Sequence, residues 1–124
     1  MVVDPLRRIE AIATALPEAE RVDIEAWGGE PTFRVRGKNF VFAGGDGLGI
    51  SVKLPKPEAE ALVATDPRAE PTGYGLGRHG WVSIGIGADA DDQRWILVEE
   101  LIRTSYCMVA PKRLAAQVDS GTPR

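Results

Sequence analysis

Seven residues that could bind an anion gather in three short segments of this sequence. The first segment, FRVRGKNF at residues 33–40, places three positive charges in eight residues. The candidate binding residues are Arg34, Arg36, Lys38, Lys53, Arg78, His79 and Trp81. Arginine and lysine bind phosphates, and an aromatic ring on an open surface can stack on an unpaired base. The pattern therefore predicts a surface for nucleic acid or for another anionic ligand.

Alternation of apolar and polar residues indicates that these side chains lie on one face of a β-sheet. The alternation predicts that five side chains point away from the core: Arg34, Arg36, Lys53, Trp81 and Ser83. Gly37 and Lys38 are expected to form the two-residue loop of a type II′ hairpin, because glycine suits the first position of that turn. This hairpin places Lys38 at its tip.

The alternative is that the charges of this face are already paired within the sheet. If a four-residue loop joins the first two strands, Glu25 lies opposite Arg34 and Asp23 lies opposite Arg36. Such cross-strand pairs stabilise a sheet by at most about 1 kcal/mol each, but they would neutralise the two arginines. The net charge of −3 and the pI of about 5.2 favour a solvated ladder of ion pairs over a nucleic-acid surface. Lys38 is then the charge most available to a ligand.

Catalytic and metal-binding patterns are absent from the sequence. His79 is the only histidine and Cys107 the only cysteine, so the chain lacks a His–Cys metal set and an internal disulfide. The three aspartates of residues 89–92 lack the spacing of an EF-hand and predict the N-cap of a helix. The glycine-rich loop 44–49 leads into a strand, whereas a phosphate-binding loop leads into a helix. We expect no cofactor and no enzymatic activity; an enzyme would need His79 as its acid or base.

Length and composition predict one packed domain. The chain has 124 residues, of which 44% are hydrophobic and 27% are charged. We expect a core over residues 5–116 and a flexible tail over 117–124. The N-terminal segment lacks the continuous apolar run of a signal peptide, and no segment is long enough to span a membrane. The expectation is a cytoplasmic protein without a membrane partner.

Hydrophobic periodicity predicts an α+β domain. Helices are expected at 4–16, 57–65 and 91–109 and over KRLAAQ, and strands at 21–27, 32–36, 39–43, 50–54 and 81–87. Residues 70–80 are expected to form a loop or an irregular edge. Short turns make successive strands antiparallel, so we predict an antiparallel sheet of five to six strands with helices packed on one face. The core is expected to include Phe40, Phe42, Trp95 and Tyr106.

Several segments, in their order, resemble the MmcQ/YjbR family of small bacterial proteins. They are LPEAE, GGEPTFRVRGKNF, SVKLP, GWVSIGI and TSYCMVAPKRL, and the resemblance covers roughly residues 5–116. The resemblance implies a YjbR-like fold with a curved antiparallel sheet, similar to the frataxin-like or double-wing shape.

The same resemblance implies a binding function. Members of the family are often named DNA-binding proteins, and no catalytic residues come with the resemblance. The residues that match its recurring positions are Lys38, Lys53, Trp81, Ser105 and Tyr106, to which the resemblance assigns no role. The implied ligand is DNA; the alternative is a module that binds a protein or a small, for example anionic, ligand and has no nucleic-acid role.

Overall fold

A computed structural model describes residues 4–24, 30–73 and 75–120. The strands are β1 (Ala19–Ile24), β2 (Glu30–Val35), β3 (Lys38–Ala43), β4 (Gly49–Lys53), β5 (Ala69–Pro71) and β6 (Trp81–Gly85). The helices are α1 (Pro5–Thr14), α2 (Lys56–Thr65), α3 (Asp92–Val109) and α4 (Lys112–Ser120), with a short 3-10 helix at Leu76–His79. The strands form one antiparallel sheet in the spatial order β1-β2-β3-β4-β6-β5. The predicted α+β architecture is confirmed.

Two aspartates start the principal helices, as their sequence context predicts. Asp4 accepts a hydrogen bond from the backbone N–H of Leu6 at 3.2 Å, and Pro5 occupies the first turn of α1. Asp91 accepts from the backbone N–H of Arg94 at 2.9 Å at the start of α3. Each carboxylate satisfies an N–H that lacks a partner within the helix. The acidic run before α3 therefore has a structural explanation.

The helices cover one side of the sheet, which we call the inner face. The buried residues that the central strands contribute there are Phe33, Val35, Val41, Ile50, Val52, Val82 and Ile84. The helices bring Ile9, Ala13, Ala59, Trp95, Val98, Ile102, Tyr106 and Leu114 against them. Each fully buried aliphatic or aromatic side chain contributes roughly 1.5–3 kcal/mol, so this layer is the main source of stability.

The β2–β3 hairpin turns one residue earlier than expected. Its two loop residues are Arg36 and Gly37, with φ of 52° and 80°, and Val35 pairs with Lys38 across the turn. Positive φ at both loop residues defines a type I′ turn, whose twist matches that of the flanking strands. The predicted Gly37–Lys38 loop is wrong, and Arg36 lies in the turn rather than on the sheet.

A β-bulge separates two phenylalanines that were both expected in the core. The ladder pairs Arg34 with Asn39, shifts register there and leaves Phe40 without a partner in β2. The Phe40 ring lies on the helix side, where it meets the Tyr106 ring edge-on with centroids 5.3 Å apart. Phe42 lies on the opposite side of the sheet. The prediction is therefore right for Phe40 and wrong for Phe42.

Strand β1 is also turned over relative to the expectation. Arg21 and Asp23, which the paired arrangement of the sequence analysis put on the outer face, are on the helix side, where Arg21 forms ion pairs with Glu10 of α1 at 3.0 Å and with Asp23 at 2.8 Å. Val22 and Ile24 consequently lie on the other face, and both are half-buried. Alternation alone put the wrong side chains of β1 on the helix side. Polar contacts with α1 stabilise the observed orientation of the strand.

The two remaining differences lie in irregular or terminal segments. The stretch expected as a loop contains β5, in which Ala69 pairs with Ile84, and the 3-10 helix. Gly80 ends that helix with a φ of 93°, and a Cβ there would overlap the carbonyl oxygen of Leu54. Helix α4 continues to Ser120 and buries Val118, so it takes up part of the expected tail.

No helix within the described part of the chain is long and apolar enough to cross a membrane.

Candidate nucleic-acid interface

The side of the sheet opposite the helices, here called the outer face, contains most of the predicted binding residues. Its middle row follows the strand pairing across all six strands: Val22, Thr32, Phe42, Ser51, Ser83 and Glu70. None of these six side chains belongs to the hydrophobic core. Within this row Thr32 is fully buried, Glu70 is exposed and the other four residues are half-buried. Two further rows of different chemistry flank it.

One flanking row, here called the basic row, consists of Arg34, Asn39, Lys53 and Trp81. Register pairs Arg34 with Asn39 and pairs Lys53 with Trp81. Adjacent strands are about 4.8 Å apart, so two strand spacings, about 10 Å, separate Arg34 from Lys53 at the backbone. The row brings together cations that are distant in sequence.

Ser105 of α3 joins the two halves of the basic row. Its Oγ donates to the carbonyl oxygen of Phe40 at 2.6 Å and accepts from the backbone N–H of Lys53 at 2.8 Å. A serine hydroxyl can donate and accept at once, which suits it to a point where β3 and β4 stop pairing directly. Ser105 is fully buried. Its role is therefore structural, and it fixes the backbone that carries Lys53.

Tyr106, the next residue of the same motif, is structural as well. Its hydroxyl donates to the carbonyl oxygen of Pro17 at 2.6 Å, which ties α3 to the segment after α1. Burial raises the pKa of the Tyr106 phenol above its usual value. The tyrosine thus remains a neutral donor at ordinary pH.

Arg36 is neutralised, but not by the predicted partner. Its guanidinium forms two hydrogen bonds with Glu18, Nε to Oε1 at 2.5 Å and NH2 to Oε2 at 3.0 Å. The Arg36 hydrogen bond holds the pKa of the Glu18 carboxyl below its usual value. Asp23 instead lies opposite Pro31, so the predicted pairing of Asp23 with Arg36 is wrong.

The other predicted cations make fewer polar contacts than Arg36 does. Arg34 lies opposite Glu20, and its Nε contacts Thr32 Oγ1 at 3.4 Å. Lys38 is exposed next to the turn, and Lys53 is half-buried. Among residues 4–24, 30–73 and 75–120, no ion pair involves these three cations. Glu25, the predicted partner of Arg34, and Trp27 lie outside the described residues.

Trp81 occupies the predicted face but is not available for stacking. Only 8% of its surface is exposed, and its ring meets the Phe42 ring at 5.2 Å with an interplanar angle of 61°. Arg78 and His79 are exposed in the adjacent 3-10 helix, where Arg78 Nε donates to the carbonyl oxygen of Gly75 at 3.3 Å. Trp81 therefore supports Phe42, while Arg78 and His79 lie next to the end of the basic row.

The opposite flanking row forms a groove that the sequence reasoning missed. Gly49 pairs with Gly85 at its centre, and the cavity above them has a volume of about 480 Å³. It is lined by Glu30, Phe42, Gly44, Ser51, Arg68, Glu70 and Ser83, among others. The hydroxyls of Ser51 and Ser83 are 2.8 Å apart, and that of Thr72 is 3.0 Å from Ser83. The glycines at positions facing outward in β4 and β6 were the sequence signal for this groove.

The described histidine, cysteine and acidic side chains are spread over the structure. In the ranges it describes, no group of three histidine, cysteine or acidic side chains is arranged to hold an ion. Asp89, Asp91 and Asp92 are exposed at the start of α3. The chemistry of the outer face is therefore that of cations, hydroxyls, three glutamates (Glu20, Glu30 and Glu70) and the Phe42 ring, against which the Trp81 ring packs.

Comparison with known proteins supports the architecture. A search of curated proteins finds no match. The crystal structure of the Deinococcus radiodurans protein DR2400, with the family-model domain DUF419, is similar with a TM-score of 0.69. That similarity covers 95% of this chain and 88% of the other at 22% sequence identity, which shows the fold alone.

The family is shown by the sequence. The model of the YjbR family matches residues 14–108, most of the chain and all six strands. The segments that prompted the resemblance lie largely within that range, and Ser105 and Tyr106 have structural roles there. The prediction from the sequence is confirmed: the chain belongs to the YjbR family.

Proposed function

We propose that this domain is a non-enzymatic binding module that contacts the phosphates of nucleic acid with the basic row. The observation that carries the proposal is the alignment of Arg34 and Lys53 on the face of the sheet opposite the helices. Lys38 pairs with Val35 of the inner face, so it is exposed beside the hairpin turn but lies outside the row. Arg78 and His79 lie beyond Trp81 at the other end of the row. Phosphate contacts supply most of the affinity of proteins for nucleic acid.

The charge distribution supports a defined orientation. The net charge is −3, so an anionic ligand is repelled by most of the surface. On the outer face the acidic side chains Glu30 and Glu70 line the groove, on the side away from the basic row. Glu20 lies opposite Arg34 at the β1 end of the basic row, so phosphates are directed towards the Lys53 side of the row.

Substitution of Lys53 by glutamine is expected to weaken DNA binding and to reduce its salt dependence. Loss of one phosphate contact lowers the slope of log K against log salt by about 0.7–0.9. The measurement is fluorescence anisotropy of labelled DNA over a range of salt concentrations. Arg36→Gln is the matched control, because Glu18 already neutralises that guanidinium. Its affinity for DNA is expected to equal that of the wild type.

Two results would contradict the proposal. The first is an absence of DNA binding at low salt, where phosphate contacts are strongest. The second is binding that Lys53→Gln and Arg36→Gln weaken equally, since only Lys53 belongs to the basic row.

A further inference from the structure

The groove of the outer face is open although the backbone would accept a side chain there. Gly49 does not have a φ in the left-handed region, and a Cβ at this position would meet only the carbonyl oxygen of Ile84, at 3.4 Å. That separation is an ordinary contact, so neither conformation nor space requires glycine. Glycine weakens a strand interior, where β-branched residues are favoured. The missing side chain leaves the cavity of about 480 Å³ open.

The lining of the groove matches a flat ring with polar edges. Phe42, held edge-on by Trp81, supplies an aromatic ring at the side nearest the basic row. The hydroxyls of Ser51 and Ser83 lie on the floor, and the carboxylates of Glu30 and Glu70 are acceptors at its ends. Nucleobases stack on aromatic rings, and their exocyclic amino groups donate to carboxylates. The same carboxylates repel phosphate. Arg68 also lines the groove, but its NH1 donates to the carbonyl oxygen of Ile86 at 3.1 Å, so a base fits this end better than the phosphate backbone does.

The groove and the basic row are close enough for one strand of nucleic acid to contact both. Ser51 and Lys53 are two residues apart on β4 and face the same way, which separates them by about 7 Å. A duplex keeps its bases paired and stacked and presents mainly phosphates to a sheet. An unpaired strand can place its phosphates on the basic row and turn a base into the groove.

We infer that the groove over Gly49 and Gly85 is a base-binding site and that the ligand is single-stranded nucleic acid. This inference rests on the proposed function and adds the class of nucleic acid. The base lies against Phe42, with its edge towards the hydroxyls and carboxylates, while Lys53 and Arg34 hold the flanking phosphates.

The test fills the groove without changing any charge. Gly49→Val places a branched side chain in the cavity at a position compatible with a strand. Gly45→Val is the matched control, because Gly45 is exposed, has open space around its Cβ position and does not line the groove. The probes are a short single-stranded DNA of mixed sequence and the duplex that it forms with its complement. Anisotropy is measured at one low salt concentration, and thermal unfolding establishes that each variant is folded.

The wild type is expected to bind the single strand at least tenfold more tightly than the duplex. Gly49→Val is expected to reduce the affinity for the single strand about tenfold, as expected for the loss of one stacked base. The affinity for the duplex, and both affinities of Gly45→Val, are expected to remain unchanged. If Gly49→Val does not fold, backbone amide shifts of the wild type replace it. Residues 49–51 and 83–85 are expected to shift with the single strand and not with the duplex.

The outcomes separate this inference from the proposed function. Equal affinity for single strand and duplex, with a loss on Lys53→Gln, would overturn the base-binding site and retain the phosphate contacts. Unchanged single-strand affinity in folded Gly49→Val would overturn it too, as would the absence of shifts at 49–51 and 83–85. An absence of binding to either DNA would overturn both proposals.

Discussion

Replacement of Ser105 by alanine is expected to lower the free energy of unfolding by about 2–4 kcal/mol. The hydroxyl serves two backbone groups, the carbonyl of Phe40 and the N–H of Lys53, at a site fully shielded from solvent. Removal of the hydroxyl leaves both without a partner, and each such group costs about 1–3 kcal/mol. Chemical denaturation measures the change. For a domain of this length, the melting temperature is expected to fall by roughly 10 °C.

The neighbouring Thr104→Ala variant is the control for the loss of a helix hydroxyl. Thr104 is half-buried, and alanine is the better helix former, so little or no stability is lost. Ser105→Ala should also weaken DNA binding, because the hydroxyl holds the backbone of Lys53 in the basic row. Equal stability of the two variants would show that β3 and β4 do not need this bridge.

Replacement of Arg94 by methionine is expected to cost about 2–3 kcal/mol. The Arg94 guanidinium bonds Asp66 through NH1 at 2.5 Å and the carbonyl oxygen of Gly85 through Nε at 3.1 Å. It thereby ties the start of α3 to the end of α2 and to β6. The side chains of Arg94 and Asp66 are only 16% and 13% exposed, so loss of Arg94 leaves the Asp66 charge poorly solvated. Methionine retains the apolar stem, so denaturant unfolding reports the lost polar contacts.

The same ion pair predicts a pH dependence of stability. The Arg94 hydrogen bond holds the pKa of the Asp66 carboxyl below its usual value. The stabilisation is therefore complete above the usual aspartate pKa, about 4, and is lost as the pH falls through the lower folded-state pKa. Asp66→Asn is expected to be less stable than the wild type at neutral pH, and the difference should shrink below about pH 4.

Arg36→Met provides the comparison for an exposed ion pair. Arg36 and Glu18 are each 47% exposed, and solvent screens such pairs strongly. Loss of this pair should change stability far less than loss of the Arg94 pair. If both substitutions had the same effect, burial would not be the reason for the importance of Arg94.

Local patterns were sufficient for most of the elements. An aspartate followed by a proline is a typical start of a helix, and Asp4 and Pro5 have these roles in α1. Helical spacing identified α3 with Trp95 and Tyr106 in its buried stripe. These signals are contained in a few consecutive residues, because capping and amphipathic periodicity depend on near neighbours. Strand β5 lacked such a signal. Its three residues pair with β6 although they precede a glycine-rich segment.

Residues distant in sequence determine which side chains of the edge strand β1 point towards the helices. They also determine the chemistry of the outer face. Alternation in β1 is compatible with either face, and the contact of Arg21 with Glu10 in α1 decided between them. The bulge at Phe40 placed Phe40 and Phe42 on opposite sides of the sheet, which a strict period of two excludes. Errors in strand facing and register also make the predicted neighbours of site residues wrong, since one register shift changes every cross-strand neighbour.

The sequence by itself determined the α+β class, the principal helices and the family to which the chain belongs. It also identified the positive residues that the proposed interface uses. Only the tertiary structure decided which of them are available: Glu18 neutralises Arg36, while Lys53 is held beside Trp81 on the outer face. The physical reason is that ion pairing and burial depend on separations in space. Strand pairing brings together residues such as Gly49 and Gly85 that the chain keeps far apart.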